Sequence, residues 1–209
     1  MDKVDLKKEI RAYSAPRGRF EIVDVPVLRY LMIDGEGDPN SAAEFADAVS
    51  TLYSVAYRLK FFSKRQLDRD YVVMPLEALW WSDDMSTFTT SLDKSRWSWT
   101  VLNLVPGWIT TEQFDEVRRG VEAGGGAGGG ASALPNLRLA DLAEGRCVQT
   151  LFVGPYADEG PVLEEMHTRF IPGEGLRMTG LHHEIYLSDP QRTAPEKLKT
   201  ILRQPVAEA

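Results

Sequence analysis

Cysteine, histidine and basic charge are scarce in this chain. Its 209 residues contain one cysteine, Cys147, so no internal disulfide can form. Cys147 lies in the apolar run from Arg146 to Val153, where a small buried hydrophobe is expected rather than a nucleophile. Two of the three histidines are adjacent. On a strand His182 and His183 would point to opposite faces and could not share one ion, and His167 lies on a separate helix. No metal and no cofactor are therefore expected. The formal net charge of -7 speaks against a nucleic-acid partner, because no basic stripe is available to hold phosphates. No apolar run approaches the length of a membrane span, so no membrane partner is expected. The stretch Met1 to Asp5 is charged and lacks a signal-like apolar segment, which predicts a reducing, cytoplasmic setting. No serine sits at a strand-turn-helix elbow, so a nucleophilic triad is not expected.

At 43% hydrophobic and 26% charged, the composition is that of a globular protein. Val25 to Ile33 reads as a strand, and Asp34 to Asn40 as a turn. Asn40 or Ser41 would cap a helix running to about Phe62, its buried stripe marked by Phe45, Val49, Leu52, Val55, Ala56 and Leu59. Tyr71 to Trp81 and Trp97 to Val105 read as strands flanking a polar loop. Thr110 or Thr111 would start a second helix, to about Val121. The glycine-rich segment at about 123–133 lacks the Lys-Ser or Lys-Thr of a phosphate loop and reads as a flexible linker. Beyond it the order repeats: strand Arg146–Val153, helix Asp158–Phe170, strand Leu181–Leu187 and strand Leu198–Val206.

The whole chain, 1–209, thus reads as one α+β domain of two β-α-β-β modules, at about 20–121 and 137–207. A pseudo-two-fold duplication of this kind predicts a curved antiparallel sheet with helices on one face and a ligand cleft on the other.

The strand from Leu181 to Leu187 separates by face. Leu181, His183, Ile185 and Leu187 point one way; His182, Glu184 and Tyr186 point the other. A carboxylate in mid-strand must be solvated, paired or used. By pattern Glu77 is its counterpart in the first module, so the two carboxylates are expected together in the cleft. Either could instead pair with an arginine such as Arg29 or Arg96. Trp80 and Trp81 end one strand, and Trp97 and Trp99 share a face of the next. Indoles here could stack on a flat aromatic or cationic ligand, and about half of them are expected to be structural. Trp81 shares its face with Glu77 and Tyr71.

At these residues the chain resembles the GyrI-like small-molecule-binding family, in its stand-alone bacterial branch. The likeness rests on Asp24-Val25-Pro26, Met32 to Asn40, Met74 to Trp81, Trp97-Ser98-Trp99-Thr100, Gly154-Pro155-Tyr156, His182 to Pro190 and Pro195 to Val206. The glycine-rich linker and Ala78, where relatives often have glycine, depart from the pattern. The resemblance implies two fused modules around a ligand cleft, and a small aromatic or cationic ligand as partner. Some stand-alone members hydrolyse strained, cyclopropane-containing genotoxic compounds and so detoxify them. By position Glu184 matches the pocket glutamate of that branch and is the expected catalytic base. Glu77, Tyr71, Trp81, Trp97, Trp99, Tyr156 and Tyr186 are the expected ligand-binding residues. Non-catalytic sequestration of a cationic compound, and interaction with a topoisomerase, are the alternatives that relatives suggest. A homodimer is left open.

Overall fold

The computed structural model describes residues 2–82, 96–124 and 132–209. Most of the polar loop after Trp81 and of the glycine-rich linker thus lies outside the described residues. The chain starts with β1 (Lys3–Val4), α1 (Leu6–Glu9) and a tight 3-10 turn at Arg11–Tyr13. Next come β2 (Glu21–Val25), β3 (Leu28–Glu36), α2 (Ala43–Gln66), β4 (Asp70–Tyr71), β5 (Glu77–Trp81), β6 (Ser98–Leu104) and α3 (Thr111–Ala123). The second half has β7 (Arg138–Leu142), β8 (Gly145–Val153), α4 (Gly160–Glu165), a π-helical turn at Met166–Phe170 and α5 (Ile171–Gly173). It ends with β9 (Leu176–Met178), β10 (His182–Tyr186) and β11 (Lys199–Glu208).

Several elements depart from the sequence expectation for local reasons. The strand expected from Tyr71 to Trp81 is broken. Pro75 cannot donate to a ladder, and the Asn103 side chain instead donates to the carbonyls of Met74 and Pro75. Neither Asn40 nor Ser41 caps α2; its N-cap is Ala42, whose amide donates to the Asp38 carbonyl. Asp34 to Glu36 extend β3 rather than turning. Thr110 does cap α3, in a reciprocal box with Gln113. Pro172 lacks an amide proton and would crowd the carbonyl four residues back, which accounts for the π turn before it.

The main sheet runs β2-β8-β11-β10-β5-β6-β3-β7, with antiparallel pairing throughout. Each half contributes its three strands in the order first, third, second, and the halves meet where β10 pairs β5. β2 and β7 are exchanged: each lies against the other half's first strand. Two residues, Pro26 and Val27, link β2 at one edge to β3 beside the other, a reach of roughly 10 Å. Ala143 and Glu144 make the reciprocal link. Such short links require the sheet to curl until its edges approach, and it forms a half-barrel.

α2 packs on the outer face through Ala48, Leu52, Val55, Ala56 and Leu59, against Leu31, Ile33, Ala78, Trp80, Trp99 and Val101. The helical segment of the second half covers Val148, Leu202 and Val206 on the same side. The inner face was expected to be the cleft. It is filled instead by Tyr13, Tyr30, Met32, Met74, Leu79, Leu102, Leu104, Ile185 and Ile201. Tyr13 comes from the N-terminal segment, whose backbone is held at the Ala12 carbonyl by Arg203 (2.6 Å) and at the Ser14 carbonyl by Gln149 (3.2 Å).

Candidate functional site

β10 alternates as its sequence predicts: His183 and Ile185 are buried inside, while His182, Glu184 and Tyr186 lie on the helix side. The register with β5 then decides which residues join them. Ala78 opposes Glu184, Trp80 opposes His182 and Glu77 opposes Ile185. Ala78 and Trp80 are therefore on the face of Glu184, and Glu77 is on the other. A two-fold axis normal to a sheet preserves faces, so Glu77 and Glu184 are not equivalent positions. The expected carboxylate pair is not formed.

On the outer face, Glu184 sits between the two helical layers with its side chain 14% exposed. The Tyr186 hydroxyl donates to Glu184 Oε2 at 2.7 Å and accepts from the Trp80 indole Nε1 at 3.1 Å. Burial, then the negative charge of Glu184, hold the Tyr186 hydroxyl well above its ordinary pKa, so it stays a proton donor. Tyr156 meets the Tyr186 ring edge-on at 5.5 Å, and Trp97 meets Trp80 edge-on at 5.6 Å. Phe45 of α2 stacks on Trp80 at 6.0 Å. The other carboxylate oxygen of Glu184 is 3.5 Å from His182 Nε2. The His182 ring in turn lies edge-on to His167, 5.9 Å away on the π turn. Burial and the neighbouring His182 lower the His167 pKa to about 4, so it is neutral near pH 7. Glu159, also buried, adds negative charge felt by both Tyr156 and Tyr186.

Of the expected site residues, Glu184, Tyr186, Tyr156 and Trp97 come together here. Trp81 lies inside the half-barrel with Leu79. Trp99 is wholly buried across from Gly35, under Phe45. Tyr71 lies in the corner where β4 pairs β1, edge-on to Trp108. Trp80 is among the indoles considered for stacking but outside the expected ligand-binding set, and sequence reading does not assign His167, His182, Phe45 or Glu159 to the site. Alternation already grouped Trp80 with Ala78; only the cross-strand register adds Glu184 to that group.

Inside the half-barrel Glu77 is fully buried. Tyr13 donates to its Oε1 at 2.5 Å, and His183 Nε2 lies 3.0 Å from its Oε2. His183 Nδ1 is 2.9 Å from Glu144, which also takes Arg203 at 2.9 Å. Arg29, offered above as a glutamate partner, is paired with Asp141. Burial opposes charge on His183, but Glu144 and Glu77 outweigh it and raise its pKa to about 9. Burial opposes charge on Glu144 too; His183 and Arg203 outweigh it and lower its pKa to about 2. Two acids and two bases thus neutralise one another behind the strand that presents Glu184. Cys147 is buried nearby, its thiol pushed up to about 12 by burial, which removes it as a nucleophile near neutrality.

Residues 19–207 match the GyrI-like small molecule binding domain. The chain belongs to the GyrI-like family. A conserved protein of unassigned function from Listeria innocua is 38% identical, with a TM-score of 0.87 over 98% of this chain and 100% of that one. A hydrolase from Listeria innocua is also 38% identical, with a TM-score of 0.82 over the same shares. Another Listeria innocua hydrolase structure is 37% identical, with a TM-score of 0.84 over 99% of this chain and 100% of that one. A comparison with curated proteins finds no match. Small-molecule binding is therefore the property this GyrI-like domain shares with its family. No described helix is long and apolar enough to cross a membrane. The described residues also contain no group of three or more His, Cys, Asp or Glu arranged to hold a metal ion.

Proposed function

We propose that this GyrI-like protein hydrolyses an electrophilic aromatic compound bearing a strained cyclopropane ring, with Glu184 as general base. The observation that carries this reading is the carboxylate of Glu184, held at 2.7 Å by Tyr186 in a strip walled by Trp80, Trp97 and Tyr156. The flat part of the substrate stacks on the rings. Glu184 takes a proton from a water, whose oxygen bonds to the strained methylene. The cyclopropane C–C bond breaks, and its electron pair moves through the ring to a conjugated carbonyl oxygen. Tyr156, kept protonated by a pKa pushed up to about 12 through burial, donates a hydrogen bond to that oxygen. The oxygen then recovers the proton held by Glu184. The two Listeria innocua hydrolase structures, 37–38% identical, support an enzymatic reading.

Glu184→Gln keeps the shape and removes the base. The variant should lose about a hundred- to ten-thousandfold in kcat on a cyclopropane-bearing alkylator, followed by mass spectrometry of the ligand. Full activity in this variant would refute the mechanism. The second reading is capture of a cationic aromatic compound without turnover, supported by an acid ringed with aromatic faces. It predicts quenching of tryptophan fluorescence with the ligand mass unchanged.

A further inference from the structure

The aromatic strip explains the Tyr186 side of Glu184 and leaves the histidine side without a role. There, the buried nitrogens Nδ1 and Nε2 of His182 and Nε2 of His167 have no hydrogen-bond partner among the described residues. Three such atoms in two touching rings are costly, because a buried polar group without a partner keeps its full desolvation penalty. The second carboxylate oxygen of Glu184 lies at this end, 3.5 Å from His182 Nε2. That separation is long for a direct hydrogen bond. A ring nitrogen can donate or accept according to its tautomer, so the pair can satisfy either end of a small polar molecule.

We propose that His182 and His167 seat the nucleophilic water of the reaction, orienting its oxygen while Glu184 Oε1 takes its proton. This rests on the hydrolytic reading above and adds a second catalytic group, His182, to it. One imidazole donates to the water oxygen and so fixes a lone pair toward the substrate. The other holds the first ring in place. The aromatic end of the strip binds the flat substrate, and the histidine end supplies the attacking oxygen. The pair thereby separates binding from water activation along one strand.

Two measurements decide it. In a crystal structure of the protein at better than about 1.5 Å, an ordered water should lie within hydrogen-bond distance of Glu184 Oε1 and at least one of the two imidazoles. A dry cluster, or direct His182–Glu184 contact, overturns the proposal whatever the enzyme's activity. In kinetics on the same alkylator, His182→Phe should lower kcat about ten- to a hundredfold with KM changed less than about threefold, because the stacking residues remain. His182→Asn, which can still hold a water, should recover most of that loss. If His182→Phe does not fold, His167→Leu serves as the deciding variant with a smaller loss in kcat. Unchanged kcat in the folded variants overturns the proposal. If wild-type protein does not turn over the probe, the hydrolytic reading fails, and the crystallographic water alone tells whether the seat exists.

Discussion

Gly35 shows how one residue can settle the role of another. It pairs across the sheet with Trp99, and a Cβ added to Gly35 would lie 2.2 Å from the Trp99 ring. The indole lies flat where a side chain would be, so Trp99 is core and not cleft wall. Gly35→Ala should destabilise the fold by about 3 kcal/mol in urea denaturation, since the fully buried ring has nowhere to move. Gly120 in α3 is the control, because a Cβ there meets nothing within 4 Å. Gly120→Ala should raise stability by about 0.5–1 kcal/mol. If both variants behaved alike, the packing account of Trp99 would be wrong. Glu77 gives the same lesson by charge: it is a carboxylate as suggestive as Glu184 in sequence, yet it is consumed by Tyr13 and His183.

At the scale of elements, β10 joins two chemistries, one on each face. Its inner face carries His183 in the charge network, and its outer face carries His182 and Glu184. The network makes stability depend on pH from both sides. His183 has a pKa near 9 in the fold against 6.5 as the ordinary value. Its contribution is complete below pH 6.5 and is lost as pH rises through 9. Glu144 has a pKa near 2 against 4.5, so its contribution is complete above pH 4.5 and is lost as pH falls through 2. Stability measured by denaturant from pH 3 to 10 should therefore be greatest between about 4.5 and 6.5. His183→Gln should flatten the alkaline decline and cost about 3–5 kcal/mol, because it leaves buried acids without their counter-charge. A decline of equal size in that variant would show that another group is responsible. The cap of α3 is a smaller and independent matter. Thr110→Ala removes one half of the Thr110–Gln113 box and should cost about 1 kcal/mol, read as a lower thermal midpoint with ligand response unchanged.

At the scale of the whole molecule, the two modules read in the sequence are interlocked. β2 pairs β8 and β7 pairs β3, so each half completes the other's sheet, and β5–β10 joins them at the centre. Residues 137–209 expressed alone should lack a cooperative transition by circular dichroism, while the full chain unfolds in one step. A folded, cooperative fragment would contradict this interlocking. Although β1, α1, β2, β7 and β9 escaped it, the sequence alone carried the alternation of β10, the helix stripes, the Thr110 cap, the strand-helix-strand-strand order within each half and the family likeness. All of these are local patterns or runs of matched residues, visible without knowing what lies opposite. It did not carry the register of β5 against β10, the exchange of β2 and β7, or the filling of the inner face by Tyr13. Those depend on contacts between distant segments, and a shift of one residue in register moves every side chain to the other face. Tertiary structure alone therefore decided that Glu184 faces Trp80 and the two histidines, and that Glu77 lies buried behind the strand.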